Sequence, residues 1–401
     1  VTITTLGELR TRGLLDFNDG YRTKKDQLAA SGFRIIRAGD INNGEVSPTG
    51  PDHVAEAYAS AIGQKVLHDN DVVLTTKGTI GRTALVRDAT GHEIYSPQLC
   101  FFRPDSSVLL AKYLYFWLSG PEFTYQSSFM KNSTDMAPYI SLSQLSDTRI
   151  TLPPLPEQQA IAEVLGALDD KIAANRKLVT TSLNLVQALH DQLSTTGDVT
   201  RTLYTDVAEV GGGATPKTRV PEYWDGDIHW ASPTDITALG APYLHDTSRH
   251  ITQAGLDSCS SPLYPAGSIL MTSRATIGAF AVAQEPAAVN QGFIVLIPKR
   301  EELRWWVLHE MMGRVKEFQN RANGATFLEL SKRTFKTMEF DLPSDAQLLK
   351  FDEFARPLHE HAIALGQESQ TLAQLRDTLL PALMDGRIRV KDAQETVEEV
   401  L

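Results

Sequence analysis

Leu74-Thr-Thr-Lys-Gly-Thr-Ile-Gly81 returns 197 residues later as Met271-Thr-Ser-Arg-Ala-Thr-Ile-Gly278, with the same order of apolar, hydroxyl, hydroxyl, base, small, Thr, Ile and Gly. The echo extends outward on both sides. Ala38-Gly-Asp40-Ile41 is matched by Pro233-Thr-Asp235-Ile236, and Ile150-Thr-Leu-Pro153 by Phe340-Asp-Leu-Pro343. Order is kept while spacing drifts slowly, the mark of a duplicated unit. The stretch up to Gly20 matches the second copy poorly.

After each Leu-Pro step comes a long segment rich in Ala, Leu, Gln and Glu, a composition that predicts helix. The expected layout is a first domain over 1–152, a spacer helix over 153–197, a second domain over 198–343, and a second spacer helix with a C-terminal tail over 344–401. In the first helix Ile161, Leu165, Leu168, Ile172, Val179, Val186, Leu189 and Leu193 step by fours and threes, with Asn175 and Ser182 filling the gaps. In the second, Phe354, Leu358, Leu365, Leu372, Leu375 and Leu379 follow that rhythm, with His361 and Glu368 on the stripe. Such a stripe can pack on its own domain or on a second helix. Duplication favours an antiparallel pair of the two, with Asn175 and His361 limiting slippage.

Local signals set the ends. Pro153, Pro154 and Pro156 stop a strand and start the first helix, Thr195-Thr-Gly197 ends it, and Ser344 with Gln347 can box the start of the second. Pro357 is expected to kink or delay that second helix, and Pro381 and Gly386 to close it. Between the helices, β-type runs (71–76, 293–297) alternate with helical stretches (112–118, 304–318), so each domain reads as α+β.

At 401 residues the chain exceeds the size of a single core. It shows no apolar run long enough to span a bilayer and no basic-then-apolar leader, so a cytoplasmic protein is expected. Cys100 and Cys259 lack metal-site spacing and read as reduced thiols. The net charge of -11 argues against phosphate binding until it is divided: -1 over 1–150, -3 over 151–200, -2 over 201–343 and -5 over 344–401. The acid sits in the helices, leaving the domains near neutral and free to carry a basic face.

Catalytic constellations are not found. The one Pro-Pro, in Leu152-Pro-Pro-Leu155, lacks the Asn or Asp and the aromatic of an adenine-methylase turn. Gly211-Gly-Gly213 has no Gly-Lys-Ser/Thr after it and reads as a flexible entry loop. No Glu-x-Lys of nuclease type, His-Glu-x-x-His or Gly-x-Ser-x-Gly is present. The ten histidines are scattered, and His359 and His361 do not share a helix face, so no metal is assigned.

What remains suits recognition. Lys77 and Arg82 flank the first Thr-Ile-Gly turn, Arg274 repeats the former, and Gln98 is matched with Asn290-Gln291. Arg37 and Asn42 lie beside the first Asp-Ile and Thr234 beside the second, with polar loops at Lys131-Asn132 and Arg321-Ala-Asn323. Such side chains can read base edges or hold phosphates. A scaffold that binds protein or glycan through the same loops is the alternative, and an enzyme with an unfamiliar catalytic turn a weaker one.

Leu152-Pro-Pro-Leu-Pro-Glu-Gln-Gln-Ala-Ile-Ala-Glu-Val-Leu165, Leu168-Asp-Asp-Lys-Ile172 and Leu375-Arg-Asp-Thr-Leu-Leu-Pro-Ala-Leu-Met-Asp-Gly-Arg-Ile388 resemble phrases of the type I restriction-modification specificity subunit family. The resemblance implies two target-recognition domains, each reading half of a split asymmetric site in double-stranded DNA, held apart by an antiparallel helical pair. It implies no cofactor in this chain. Two DNA adenine methyltransferase subunits would dock on the pair, bringing S-adenosylmethionine and flipping the target base. A restriction subunit would bring ATP and Mg-dependent translocation, a methylation-only complex being the alternative. From Ile161 to Leu193 a helix spans about 50 Å, about fifteen base pairs. Asp345-Ala-Gln-Leu-Leu replaces the Pro-Glu-Gln-Gln start in the second helix, so the halves are not equivalent.

Overall fold

A computed structural model describes residues 2–48, 50–130, 138–196, 198–324 and 328–400. The chain divides into two compact units, Val1–Ile172 with Thr371–Leu401, and Ala173–Gln370. Two helices, Leu155–Thr196 and Asp345–Met384, contribute residues to both.

The first unit is built on an antiparallel sheet ordered Leu15–Asp19, Leu99–Pro104, Val72–Thr75, Thr83–Leu85. Val72–Thr75 is buried at every position because both faces of the sheet are covered, which is why it reads as a continuous apolar run rather than an alternating one. A smaller sheet, Glu93–Tyr95, Phe33–Ile36, His53–Val54 and Leu28–Ala29, carries its own apolar cluster. The main core gathers Phe17, Phe102, Tyr113, Trp117 and Ile150 with Ile161, Leu165, Leu168 and Ile172 of one long helix and Leu372, Leu379 and Leu383 of the other.

The second unit repeats this plan. Its main sheet is ordered Ala208–Gly211, Phe293–Pro298, Ile269–Thr272, Phe280–Ala283, with Tyr243–Leu244 added at the edge. His250–Ile251, Trp224–Ala231 and Ala287–Val289 form the smaller sheet, with the parallel and antiparallel pairings seen in the first. The opening also repeats, contrary to the poor sequence match before Gly20. Thr2–Thr5 pairs with Arg149–Leu152 and leads into Leu6–Thr11, as Val199–Leu203 pairs with Glu339–Pro343 and leads into Tyr204–Val207. Backbone pairing, which many side chains satisfy, carries the likeness there.

In each unit a segment of one long helix packs along a segment of the other, the pair running antiparallel. The stripe on Leu155–Thr196 is the expected one, with Val179 and Val186 buried in the second unit and Leu189 and Leu193 packed beside them. Buried Asn175 donates to Glu368 (2.7 Å) and Ser369 (3.3 Å). In the first unit Arg376 bonds Asp169 at 2.7 Å.

The stripe on the second helix is phased differently. Phe354 is exposed and His361 lies on the solvent face, whereas Leu348, Phe351, Ala355, Ala362 and Leu365 are buried, with Leu358 half-buried. Leu358 and Leu365 belong to either phase. Choosing between their neighbours by hydrophobic size selects Phe354, but close packing selects the small Ala355 and Ala362. Nor does Pro357 delay the helix. It removes a bond to the carbonyl of Glu353, an exposed residue, where water can replace it. The helix passes Pro381 to Met384 and is closed by Gly386 in the left-handed region (φ 70°). A further helix, Val390–Glu398, sets Ala393 and Val397 into the first unit's core.

Gly211-Gly-Gly213 is not a flexible loop. Gly212 donates to the Tyr264 hydroxyl (2.7 Å) and accepts from it (2.6 Å), and a Cβ on Gly213 would strike the Val289 carbonyl. The glycines permit close backbone packing.

Candidate nucleic-acid interface

The echoed octapeptides form the same turn, bond for bond. In the first unit Gly81 N–H donates to the Thr75 carbonyl (3.0 Å), Thr75 N–H to that of Arg82 (2.9 Å), and Arg82 N–H to the Thr75 hydroxyl (2.9 Å). In the second, Gly278 N–H donates to the Thr272 carbonyl (3.0 Å), Thr272 N–H to that of Ala279 (2.9 Å), and Ala279 N–H to the Thr272 hydroxyl (3.0 Å). The threonine hydroxyl thus closes each hairpin, which is why its position in the motif is fixed. Gly78 and Gly81 have φ of 79° and 95°, and Ala275 and Gly278 of 58° and 92°. Only the second copy places a side chain in the left-handed region at the turn's tip.

A second layer clamps each turn. Thr76 N–H donates to the Gln98 carbonyl and Ser273 N–H to that of Gly292, both at 2.8 Å. From the other side Ile140 N–H reaches the Thr76 carbonyl and Leu330 N–H that of Ser273. Lys77 therefore bridges to Tyr139, and Arg274 to Glu329. These bonds also correct the match of Gln98 with Asn290-Gln291. Gln98 is equivalent to Gly292, and Asn290 to Ser96, since each of the latter pair donates its N–H to the neighbouring small sheet. Side-chain similarity misled by one residue what the backbone fixes.

The Asp-Ile echoes are local brackets. The Asp40 carboxylate accepts the Arg37 N–H (2.8 Å) and that of Asp235 accepts the Ser232 N–H (2.7 Å). Asp235 also accepts the Ser232 hydroxyl and the Ser248 N–H, and these bonds hold its carboxyl below the usual range against the opposing cost of burial.

The proposed contact residues fall into several environments. Arg82 and Asn42, forty positions apart, meet at 2.9 Å, with Arg82 donating to the Asn42 side-chain carbonyl. Exposed Arg37 is ion-paired with Asp52. Among the described residues Lys77, Gln98 and Thr234 have no side-chain hydrogen bond or ion pair, leaving donors and acceptors for a ligand. In the second unit Arg274 is held by Glu329 (2.9 Å) and Arg321 by Glu317 (3.7 Å), while Gln291 accepts from Thr215. Asn290 caps its own loop by accepting the Gly292 N–H, and Asn323 exchanges backbone bonds with Glu329. Lys131 and Asn132 lie outside the described residues. The Asn290 side chain thus has structural work, whereas Asn323 pairs through its backbone and keeps an exposed side chain, and the exposed set around each hairpin is the candidate surface.

Tyr139 and Glu329, which face the two bases, were missed. Pro138-Tyr-Ile-Ser141 and Leu328-Glu-Leu-Ser331 share the offset of the two Leu-Pro steps, a signal that could have found them. Arg249, seated 3.4 Å over the Trp224 ring, was missed because nothing in sequence joins the two.

Comparison with known proteins decides what kind of chain carries this pair of turns. The sequence model described as "Type I restriction modification DNA specificity domain" matches residues 6–181 and again 200–350. The chain belongs to that family.

As a member with two specificity domains it is a DNA-recognition subunit and not a catalytic one. The type I restriction enzyme HindI specificity subunit of Haemophilus influenzae is 20% identical over 96% of this chain and 100% of its own length. The MjaIX specificity subunit of Methanocaldococcus jannaschii is 37% identical, but over 36% of this chain and 34% of the relative, so that likeness spans about a third of either. The crystal structure of the type I restriction-modification S subunit from M. genitalium shares the fold, with a TM-score of 0.56 over 95% of each chain at 17% identity. Among the described residues no helix is long and apolar enough to cross a membrane.

Proposed function

We propose that each unit of this specificity subunit reads one half of a bipartite, asymmetric site in double-stranded DNA, through the clamped turns at Lys77 and Arg274. The reading rests on one observation: two backbone frames agree bond for bond while differing in the side chains they present. One turn offers Lys77 beside Tyr139, the other Arg274 beside Glu329. A fixed frame with exchanged side chains yields two different half-sites.

The helical pair is the docking platform for two DNA adenine methyltransferase subunits, which bring S-adenosylmethionine and flip the target adenine. Support comes from Leu178 and Leu185, each 50% exposed and two turns apart on one helix, an apolar strip left half-exposed among the described residues. A restriction subunit would add ATP and Mg-dependent translocation, and the assembly would work in the cytoplasm.

The test is DNA affinity of the assembled complex as a function of salt. Log affinity is expected to fall linearly with log salt, and Arg274→Ala to reduce both the affinity and the slope, the latter by about one if Arg274 reaches phosphate. Salt-independent affinity would instead favour a scaffold for protein or glycan.

A further inference from the structure

His229, Asp246 and His250 are scattered in sequence, and strand pairing brings them together. His229 and His250 are cross-strand partners of the second unit's smaller sheet, and Asp246 lies on the loop leading into the His250 strand. Their atoms form a small triangle. His250 Nε2 lies 3.1 Å from His229 Nδ1 and 3.1 Å from Asp246 Oδ1, and the remaining side, His229 Nδ1 to Asp246 Oδ1, is 3.3 Å.

No arrangement of imidazole protons satisfies all three sides. With one proton in the triangle, one side sets lone pair against lone pair. With a proton on both ring nitrogens, the 3.1 Å side between them sets N–H against N–H. A single cation at the centre satisfies all three together. A tetrahedral metal with bonds of about 2.0–2.1 Å holds its donors about 3.3–3.4 Å apart, so the triangle need open by no more than a few tenths of an ångström.

We propose that His229 Nδ1, His250 Nε2 and Asp246 Oδ1 bind one divalent ion of the zinc class. Two imidazoles and a carboxylate suit zinc, cobalt or nickel better than the hard ions calcium and magnesium. The carboxylate and its loop are held in place before any metal arrives. Thr247 N–H orients the Asp246 carboxylate (2.7 Å), and the Thr247 hydroxyl donates to the Arg249 carbonyl while accepting the Trp230 N–H. The side chains of His229 and His250 are 23% and 30% exposed and that of Asp246 66%, leaving an open side for water as fourth ligand. The ion would clamp the loop to the central strand of its sheet. Ser248 of that loop donates to Asp235, one residue from Thr234, so the clamp would also steady part of the candidate DNA surface. The site itself stands whether or not that surface reads DNA.

The experiment is titration of Co(II) into the full, untagged, chelator-stripped chain, followed by visible absorption. The expected result is one saturating equivalent with the d–d bands of a low-coordinate N/O site, displaced by Zn(II). His229→Ala, His250→Ala and Asp246→Asn should each weaken binding at least tenfold, and His361→Ala should leave it unchanged. Asp246→Asn, at an exposed position, tests the site without endangering the fold. As a second readout, Zn(II) should slow amide exchange of residues 246–250 in the native chain only. No saturable uptake, or equal uptake by the three variants, would overturn the proposal and leave adventitious binding to other histidines.

Discussion

At the residue scale, the turn at Lys77 rests on a buried charge pair. Asp71, 1% exposed, receives two bonds from Arg103 (2.7 and 2.9 Å) and one from the Tyr95 hydroxyl (2.7 Å), just before Val72–Thr75. Burial and the Asp71 charge push the Tyr95 phenol well above its ordinary range, so it remains a donor. Arg103→Ala would leave the buried carboxylate without its counter-ion, and we expect it to cost the first unit about 3–5 kcal/mol in chemical denaturation. In the second turn Ala275 holds a φ of 58° where the first copy has Gly78. Ala275→Gly should therefore stabilise by about 0.5–1 kcal/mol, and a loss of stability would show that the alanine methyl has a role of its own. These particulars were not legible in sequence. Motif matching named Lys77, Arg82 and Arg274, but whether a side chain faces solvent or caps its own loop, as Asn290 does, depends on backbone folded from elsewhere.

At the element scale, both helices and the seam of the first were legible, because a long 3–4 spacing marks a helix with one buried face. The phase of the second was not, since Ala355 and Ala362 look indifferent until a facing helix approaches. Phe354→Ala is accordingly expected to cost under about 1 kcal/mol, whereas Leu365→Ala, which opens a cavity, should cost about 2–5 kcal/mol.

The same helix contributes His359 to a proton-ordered chain in the second unit. The Gln187 amide donates to Asp191, which turns its carbonyl toward His309 Nδ1, 2.8 Å away. His309 Nδ1–H thus donates to Gln187, leaving His309 Nε2 to accept from His359 Nε2–H (3.1 Å) and His359 Nδ1 to accept from the Tyr243 hydroxyl (2.8 Å). Each ring needs exactly one proton, and burial holds both histidines far below their ordinary 6.5, with their mutual proximity lowering His309 further. Below pH 6.5 the unfolded chain binds protons that the folded one refuses, so stability is complete above that value and falls as pH drops, by up to about 1.4 kcal/mol per unit for each histidine. Denaturation midpoints at pH 7.5 and 5 should differ accordingly, and Tyr243→Phe, His309→Gln or His359→Gln should alter the dependence.

At the scale of the whole molecule, the duplication was readable from three short echoes because each is a hydrogen-bonding necessity: a hydroxyl that closes a hairpin, a carboxylate that brackets a turn, a Leu-Pro step that ends a strand. The likeness before Gly20 was hidden because backbone pairing there tolerates many side chains. The central claim is that the two units address different halves of one DNA site. Its most direct measurement is genomic mapping of adenine methylation by the chain co-expressed with the methyltransferase subunit proposed to dock on it, before and after residues 1–152 are exchanged for those of a relative. The account predicts a split asymmetric motif in which one half changes and the other stays. A motif that changes in both halves, or in neither, would contradict it.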